Sequence, residues 1–405
     1  MEILTPIWLD KSFLTLCLNG GEEKSDVEVS SFEVSSVLPP GNNYGSNLLR
    51  VKVNYKKNEE ICNESLIIKF PSGYKEITKL FDKLFEKEPS FYNEYLPEAL
   101  NITVDLPVPK SFYSPLPDVI VLNDLKEEGY KMADRRKMLD FDHCKQFMIA
   151  SATFHAASFA VHKKRPETVE SIAVDPLYSS ELAQGCADMH KALMTNGLLC
   201  MVDRMERTEK YYKYANVVRK NAGIIWGKVI ELHKRHPTFN VLQQADPWTP
   251  NMMFKYDETG NVIDIKLLDF QATRYGSPLC SLVFFLWTSA NHDVRDSKLE
   301  ELYHIYCDEL NSKLKEFHCS ECVSFEDLRA GINLLSPAIL AISSYFFPSL
   351  TSPRVISIEQ RFTAVAEGKV NPYEENYDDE YCKNSFLKLL GQLERTGVFD
   401  SIECL

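Results

Sequence analysis

The sequence predicts an α+β fold in two lobes: an N-terminal antiparallel sheet lobe with one main helix, then a larger, mostly helical C-terminal lobe. Three observations lead there. The first 122 residues hold short alternating apolar runs separated by turn chemistry, as strands joined by tight connections do. From Asp140 onward the apolar residues recur at helical spacing instead. At 405 residues, 44% hydrophobic and 25% charged, the chain has an ordinary globular composition and enough apolar material for two such bodies.

Residues 7–18 read as a short amphipathic helix. Asp26 to Leu38 alternates through Val27, Val29, Phe32, Val34 and Val37, as a strand does. A turn over 39–46, rich in Pro, Gly and Asn, leads to a second strand from Leu48 to Val53. Strand, glycine-bearing turn and strand can cover a phosphate with backbone N–H groups, although a plain hairpin loop has the same composition. Ser65 to Phe70 is the next strand, and Lys69 near its end follows consecutive aliphatics. That lysine is either a snorkelling side chain or a phosphate-gripping one. Ile77, Leu80, Phe81, Leu84, Phe85, Phe91, Tyr92, Tyr95 and Leu96 form a helical stripe, and Glu88 falls on it. A carboxylate on a core-facing stripe costs several kcal/mol unless it is paired, so a cation is implied and Lys69 is the candidate. Pro89 should kink that helix.

Residues 104–113 and Asp118 to Leu122 read as further strands. The polar stretch Asn123 to Tyr130 then marks the expected boundary between an N-terminal lobe, residues 1–122, and a C-terminal lobe, residues 123–405. Phe141 to Val161 reads as a helix in which His155 is expected to be a hydrogen-bonded core residue. Residues 163–180 read as irregular surface chain. Helices are expected at 181–193 and 209–235, and again at 279–291, 295–317, 325–346 and 380–396.

Net charge is −13 with no long basic run, which argues against nucleic acid or an anionic membrane surface as the main partner. The first seventeen residues lack a basic start followed by an apolar core, and the longest apolar runs are short or broken by Ser and Pro. A cytoplasmic protein is therefore expected. Eleven scattered cysteines suit a reducing compartment. The run His318-Cys319-Ser320-Glu321-Cys322 lacks the second ligand pair a zinc site wants.

The chemistry concentrates in Val241 to Ser289. Asp246 and Asn251 are separated by four positions, and an Asp269-Phe270-Gln271 triplet ends an apolar run. An acidic residue followed by Asn at this spacing is found in phosphotransferase catalytic loops, where the Asp takes the hydroxyl proton and the Asn holds a metal. Met252 to Tyr256 reads as a strand, Asp257 to Asn261 as a turn, and Val262 to Leu268 as a returning strand. A hairpin there sets Asn251 beside Asp269, so that the two could share one Mg²⁺, a hard cation that takes oxygen ligands.

The run Asp246-Pro247-Trp248-Thr249-Pro250-Asn251-Met252-Met253-Phe254, followed by LLDFQATRYGSPL, resembles the ecdysteroid kinase-like family, which is similar to choline kinases and aminoglycoside phosphotransferases. The resemblance implies a bilobal protein-kinase-like fold and a small-molecule kinase using ATP and Mg²⁺. It implies Asp246 as the catalytic base and Asn251 and Asp269 as metal ligands, with Lys69 held by Glu88 on the phosphates. It also implies nucleotide contacts from the 39–46 turn, with Asn42, Tyr44 and Ser46, and from the hinge at Asp124. Its substrate would be a small-molecule alcohol, an ecdysteroid or a related compound. Gln244-Ala245 replaces the family's His-Gly, and Ser281 stands where an Asp is usual. Two readings stay open. One is an active kinase. The other is a catalytically impaired nucleotide- or ligand-binding relative, in which Gln244 braces less well and Ala245 strains a loop that needs positive φ.

Overall fold

The computed structural model describes residues 5–22, 26–37, 46–71, 86–173, 184–352 and 377–405, with 356, 360, 363, 364 and 367 between the last two segments. The 39–45 part of the turn, with Asn42 and Tyr44, lies outside them, as does the 77–85 part of the helical stripe.

A helix, Lys11–Leu18, is capped by the Asp10 side chain accepting from the Phe13 N–H at 2.8 Å. It packs on an antiparallel sheet of five strands, β1 (Val27–Ser36), β2 (Ser46–Lys57), β3 (Glu60–Pro71), β4 (Ser111–Phe112) and β5 (Ile120–Asn123). Their order is β1-β2-β3-β5-β4. Side chains alternate across a strand, so the two faces of this sheet serve different cores. Val51, Leu66, Ile68, Val119 and Val121 join Phe13 and Leu14 in a small cluster under the first helix. Ile120 and Leu122, with Ile67 packed beside them, belong to the large cluster that runs through the rest of the chain.

The expected strand at 104–113 shrinks to Ser111–Phe112. Pro107 and Pro109 remove backbone donors, and Leu106 and Val108 are buried by packing rather than by pairing. Residues 86–100 are helical, with a π turn at Phe91–Tyr95 just after Pro89. The proline thus disturbs the helix without ending it.

Beyond the hinge a long helix, Phe141–Lys164, crosses the large core. The irregular chain expected from residue 163 instead contains a helix, Pro166–Ile172, with proline in its first turn, where no N–H is missed. The expected 181–193 helix runs on as Gln184–Glu206. Gly197 inside it faces the Ser344 carbonyl, which a Cβ would approach to 3.2 Å, so the glycine permits close packing on the Ser336–Thr351 helix. The expected 279–291 helix ends at Thr288, and a separate short helix, His292–Ser297, starts from the Asn291 cap. The expected 325–346 helix breaks at Leu335 into Phe325–Leu334 and Ser336–Thr351, the second with proline in its first turn. Among the described residues no single helix is long and apolar enough to cross a membrane. The ten described cysteines are free thiols.

His155 is a core residue, 2% exposed. The Tyr306 hydroxyl lies 2.9 Å from Nδ1, and the Ser281 hydroxyl lies 3.5 Å from Nε2 and itself donates to the Pro278 carbonyl. Nδ1 is therefore the acceptor and Nε2 the donor in the neutral ring. Burial pushes the imidazole down to about 3. As pH falls below about 6.5, the unfolded chain binds a proton that the native ring refuses, so native stability drops by up to about 1.4 kcal/mol per pH unit. His155→Asn keeps an acceptor for Tyr306 and removes this titration. Denaturant melts at stepped pH should show a shallower acid limb for the variant between about pH 6.5 and 4; identical slopes would mean that the native histidine is protonated.

Candidate active site

Lys69 pairs in register with Leu48 on one side and Ile120 on the other, which puts it on the same sheet face as Ile67 and Ile120, toward the large core. An aliphatic strand thus delivers an ammonium to the inside of the molecule. Its Nζ forms an ion pair with Glu88 Oε2 and lies 3.0 Å from Asp269 Oδ1, a residue 200 positions later. Burial pulls the lysine's pKa down, but the Asp269 and Glu88 carboxylates together hold it above its usual range.

Glu88 reaches further. Its other oxygen accepts the Phe270 N–H at 3.2 Å. The Phe270 ring stacks on Phe91 with centroids 3.9 Å apart and an interplanar angle of 4°. One residue earlier in the helix, buried Lys87 donates to the Thr273 carbonyl. The helix is therefore fastened at three points to the chain around Asp269. Sequence reasoning passed over Lys87, because between Glu86 and Glu88 it reads as part of a solvated charged run.

The second half of the site hangs on two short antiparallel pairings. β7 (Val241–Gln243) pairs with β10 (Arg274–Gly276), and β8 (Met252–Tyr256) pairs with β9 (Val262–Leu267), with the two-residue β6 (Lys131–Met132) on the other side of β8. Met252 opposes Leu267, and the Leu268 N–H donates to the Asn251 carbonyl at 2.9 Å. The hairpin thus sets Asn251 next to the segment carrying Asp269, as its sequence suggested. Asn251 Nδ2 donates to the Asp246 carbonyl at 2.9 Å and to Asp246 Oδ2 at 3.0 Å. The Asn251 amide nitrogen is thus engaged twice by Asp246.

The two departures in the loop separate cleanly. Gln244 Nε2 donates to the Leu268 carbonyl, immediately before Asp269, so the brace is present. Ala245 has φ +69°, in the left-handed region. The Arg274 guanidinium donates to its carbonyl at 3.1 Å and helps hold the loop there. Asp269 also has positive φ, at +63°.

Asn251 Oδ1 and the Asp269 carboxylate are hard oxygen donors from adjacent segments, and they fit Mg²⁺. That ion takes one or two protein carboxylates or amides and completes its shell with phosphate and water. The described residues contain no group of three or more His, Cys, Asp or Glu able to hold a metal.

Ser46 opens β2 opposite Pro71. Asp124 sits elsewhere in the network: its carboxylate binds the Arg50 guanidinium, with Nε at 2.5 Å, and accepts the Ser65 hydroxyl at 2.8 Å. Its N–H donates to the Ser65 carbonyl. Arg50 holds this carboxyl below its ordinary range despite burial. These contacts make Asp124 a strut between the hinge and the sheet. Arg50 stands on the polar phase of a strand whose buried set is Leu49, Val51 and Val53, so the sequence carried no signal for this pairing.

Beside Asp246, Trp248 donates its N–H to the Asp246 carbonyl at 3.0 Å. Its ring lies 6.3 Å from Phe346, which packs edge-on against Phe284 at 5.0 Å and Tyr345 at 4.8 Å. All four aromatics are half-buried.

The sequence pattern of the ecdysteroid kinase-like family matches residues 40–319, well over half the chain. The chain belongs to the ecdysteroid kinase-like family. No curated protein matches it in sequence. Among solved structures it is similar to a Plasmodium vivax ethanolamine kinase at 12% identity and TM-score 0.43, over 90% of this chain and 83% of that one. It is also similar to a choline/ethanolamine kinase family protein from Mesorhizobium loti at 13% identity and TM-score 0.33, over 88% of this chain and 95% of that one. As an ecdysteroid kinase-like protein, it falls among small-molecule kinases.

Ala245 carries a backbone strain that glycine would not. A left-handed L-residue costs roughly 1–2 kcal/mol, partly offset by the greater unfolded-state freedom of glycine. Ala245→Gly should therefore raise stability by about 1 kcal/mol, read as a higher denaturant midpoint at unchanged slope. A lower midpoint would show that the loop prefers alanine.

Proposed function

We propose that the protein transfers the γ-phosphoryl group of ATP to a hydroxyl of a small molecule. The observation that carries this is the Lys69 ammonium joining Glu88 and Asp269, with the Asp246–Asn251 pair hydrogen-bonded to the same segment.

Each side chain has a task set by its contacts. Lys69, fixed by Glu88, grips the nucleotide phosphates as a point charge. Asn251 and Asp269 would hold Mg²⁺, whose chemistry there would be to offset charge on the phosphates. Asp246, oriented through Oδ2 by the Asn251 amide, takes the proton from the acceptor hydroxyl as its oxygen attacks phosphorus. The Gln244 brace on Leu268 keeps Asp269 opposite this base.

The half-buried aromatics around Trp248 and Phe346 support an acceptor with a large apolar body, such as an ecdysteroid or a related alcohol. A second reading, a relative that binds nucleotide without transferring phosphate, is favoured by the strained φ of Ala245. The retained Gln244 brace favours activity.

Single-turnover transfer from labelled ATP, with steroid, choline and sugar alcohols, separates the two. Asp246→Asn keeps the shape but cannot take the proton, so transfer should fall by about 10²–10⁴-fold while Mg·ATP binding is retained. Undiminished transfer in the variant would remove Asp246 from the mechanism. Equal inertness of wild type and variant, with Mg·ATP still bound, would establish the non-catalytic reading.

A further inference from the structure

We infer that Gln271 is a positioning residue that fixes the plane of the Asp269 carboxylate for the metal; this rests on the kinase reading above. The backbone at Asp269 is already determined. Gln244 holds the carbonyl before it, Glu88 holds the N–H after it, and Phe270 is clamped against Phe91. What the backbone leaves undetermined is the last torsion of the aspartate side chain. Rotation about an sp³–sp² bond is broad, so packing alone does not set it.

Two side chains set it instead. Lys69 Nζ lies 3.0 Å from Oδ1, and Gln271 Nε2 donates to Oδ2 at 3.3 Å. One partner leaves the carboxylate free to swing about the contact. Two partners on opposite oxygens define its plane. A carboxylate has about four lone-pair sites, so both bonds leave room for a cation.

The two partners are not equivalent. The Lys69 ammonium is shared with Glu88, and in the loaded enzyme it turns to the phosphates. Gln271 is short-range and has no such second task. It then becomes the side chain that keeps Asp269 aimed while the lysine is occupied. Its importance should therefore appear in metal-dependent nucleotide binding rather than in folding.

Gln271→Met preserves length and removes the donor. Titration calorimetry of ATP with Mg²⁺, and of ATP with EDTA, should give about tenfold weaker Mg·ATP binding and unchanged metal-free binding, with Tm unaltered. The same substitution in an Asp269→Asn background should cost almost nothing, because the carboxylate through which Gln271 acts is gone. An equal loss with and without Mg²⁺, or a full-sized loss that persists beside Asp269→Asn, would make Gln271 merely structural. Metal-dependent binding in wild type that is unchanged in Gln271→Met would overturn the positioning role alone. Absence of metal-dependent nucleotide binding in wild type would overturn that role together with the kinase reading.

Discussion

An ammonium enclosed by two carboxylates, with little access to water, is the constraint on which the rest of the site depends. Lys69 and Glu88 are 13% and 3% exposed in their side chains, and Asp269 24%. Removing one partner of such a group leaves an uncompensated charge and costs about 3–5 kcal/mol, so the triad is held together as a unit. It draws on a strand, a helix and a loop that the chain visits far apart.

The Lys69–Glu88 pair was legible in the sequence because its warrant is local: a charge on an apolar stripe needs a counter-charge, and Lys69 follows consecutive aliphatics on a strand. The Asn251–Asp269 juxtaposition was legible because hairpin register follows from turn chemistry. What escaped depended on tertiary packing. That Lys69 would also meet Asp269 requires knowing how the sheet sits over the β8–β9 hairpin. Asp124 read as a nucleotide contact by resemblance, and only the fold brings Arg50 and Ser65 to its carboxylate. At 104–110 apolar composition suggested a strand, but Pro107 and Pro109 leave the segment as a loop that only lends the Pro107 and Lys110 carbonyls to Leu267 and Asn123.

The altered loop shows how the same two substitutions can have unlike physical weight. A donor nitrogen aimed at the Leu268 carbonyl is a matter of reach, and glutamine has it. A backbone angle is a matter of Cβ, and alanine cannot shed one. Local rules are commonly broken at functional sites, where surrounding bonds over-determine the geometry; here Arg274 and the β7–β10 pairing do so.

The shared strand β5 has a consequence for how the molecule comes apart. Val119 and Val121 face one cluster while Ile120 and Leu122 face the other, so neither body can lose its packing without stripping one side of the same few residues. Elsewhere a flexible linker would let two cores melt as separate foldons. Here the seam is itself a strand of the sheet, so the packing of the two clusters is coupled through it.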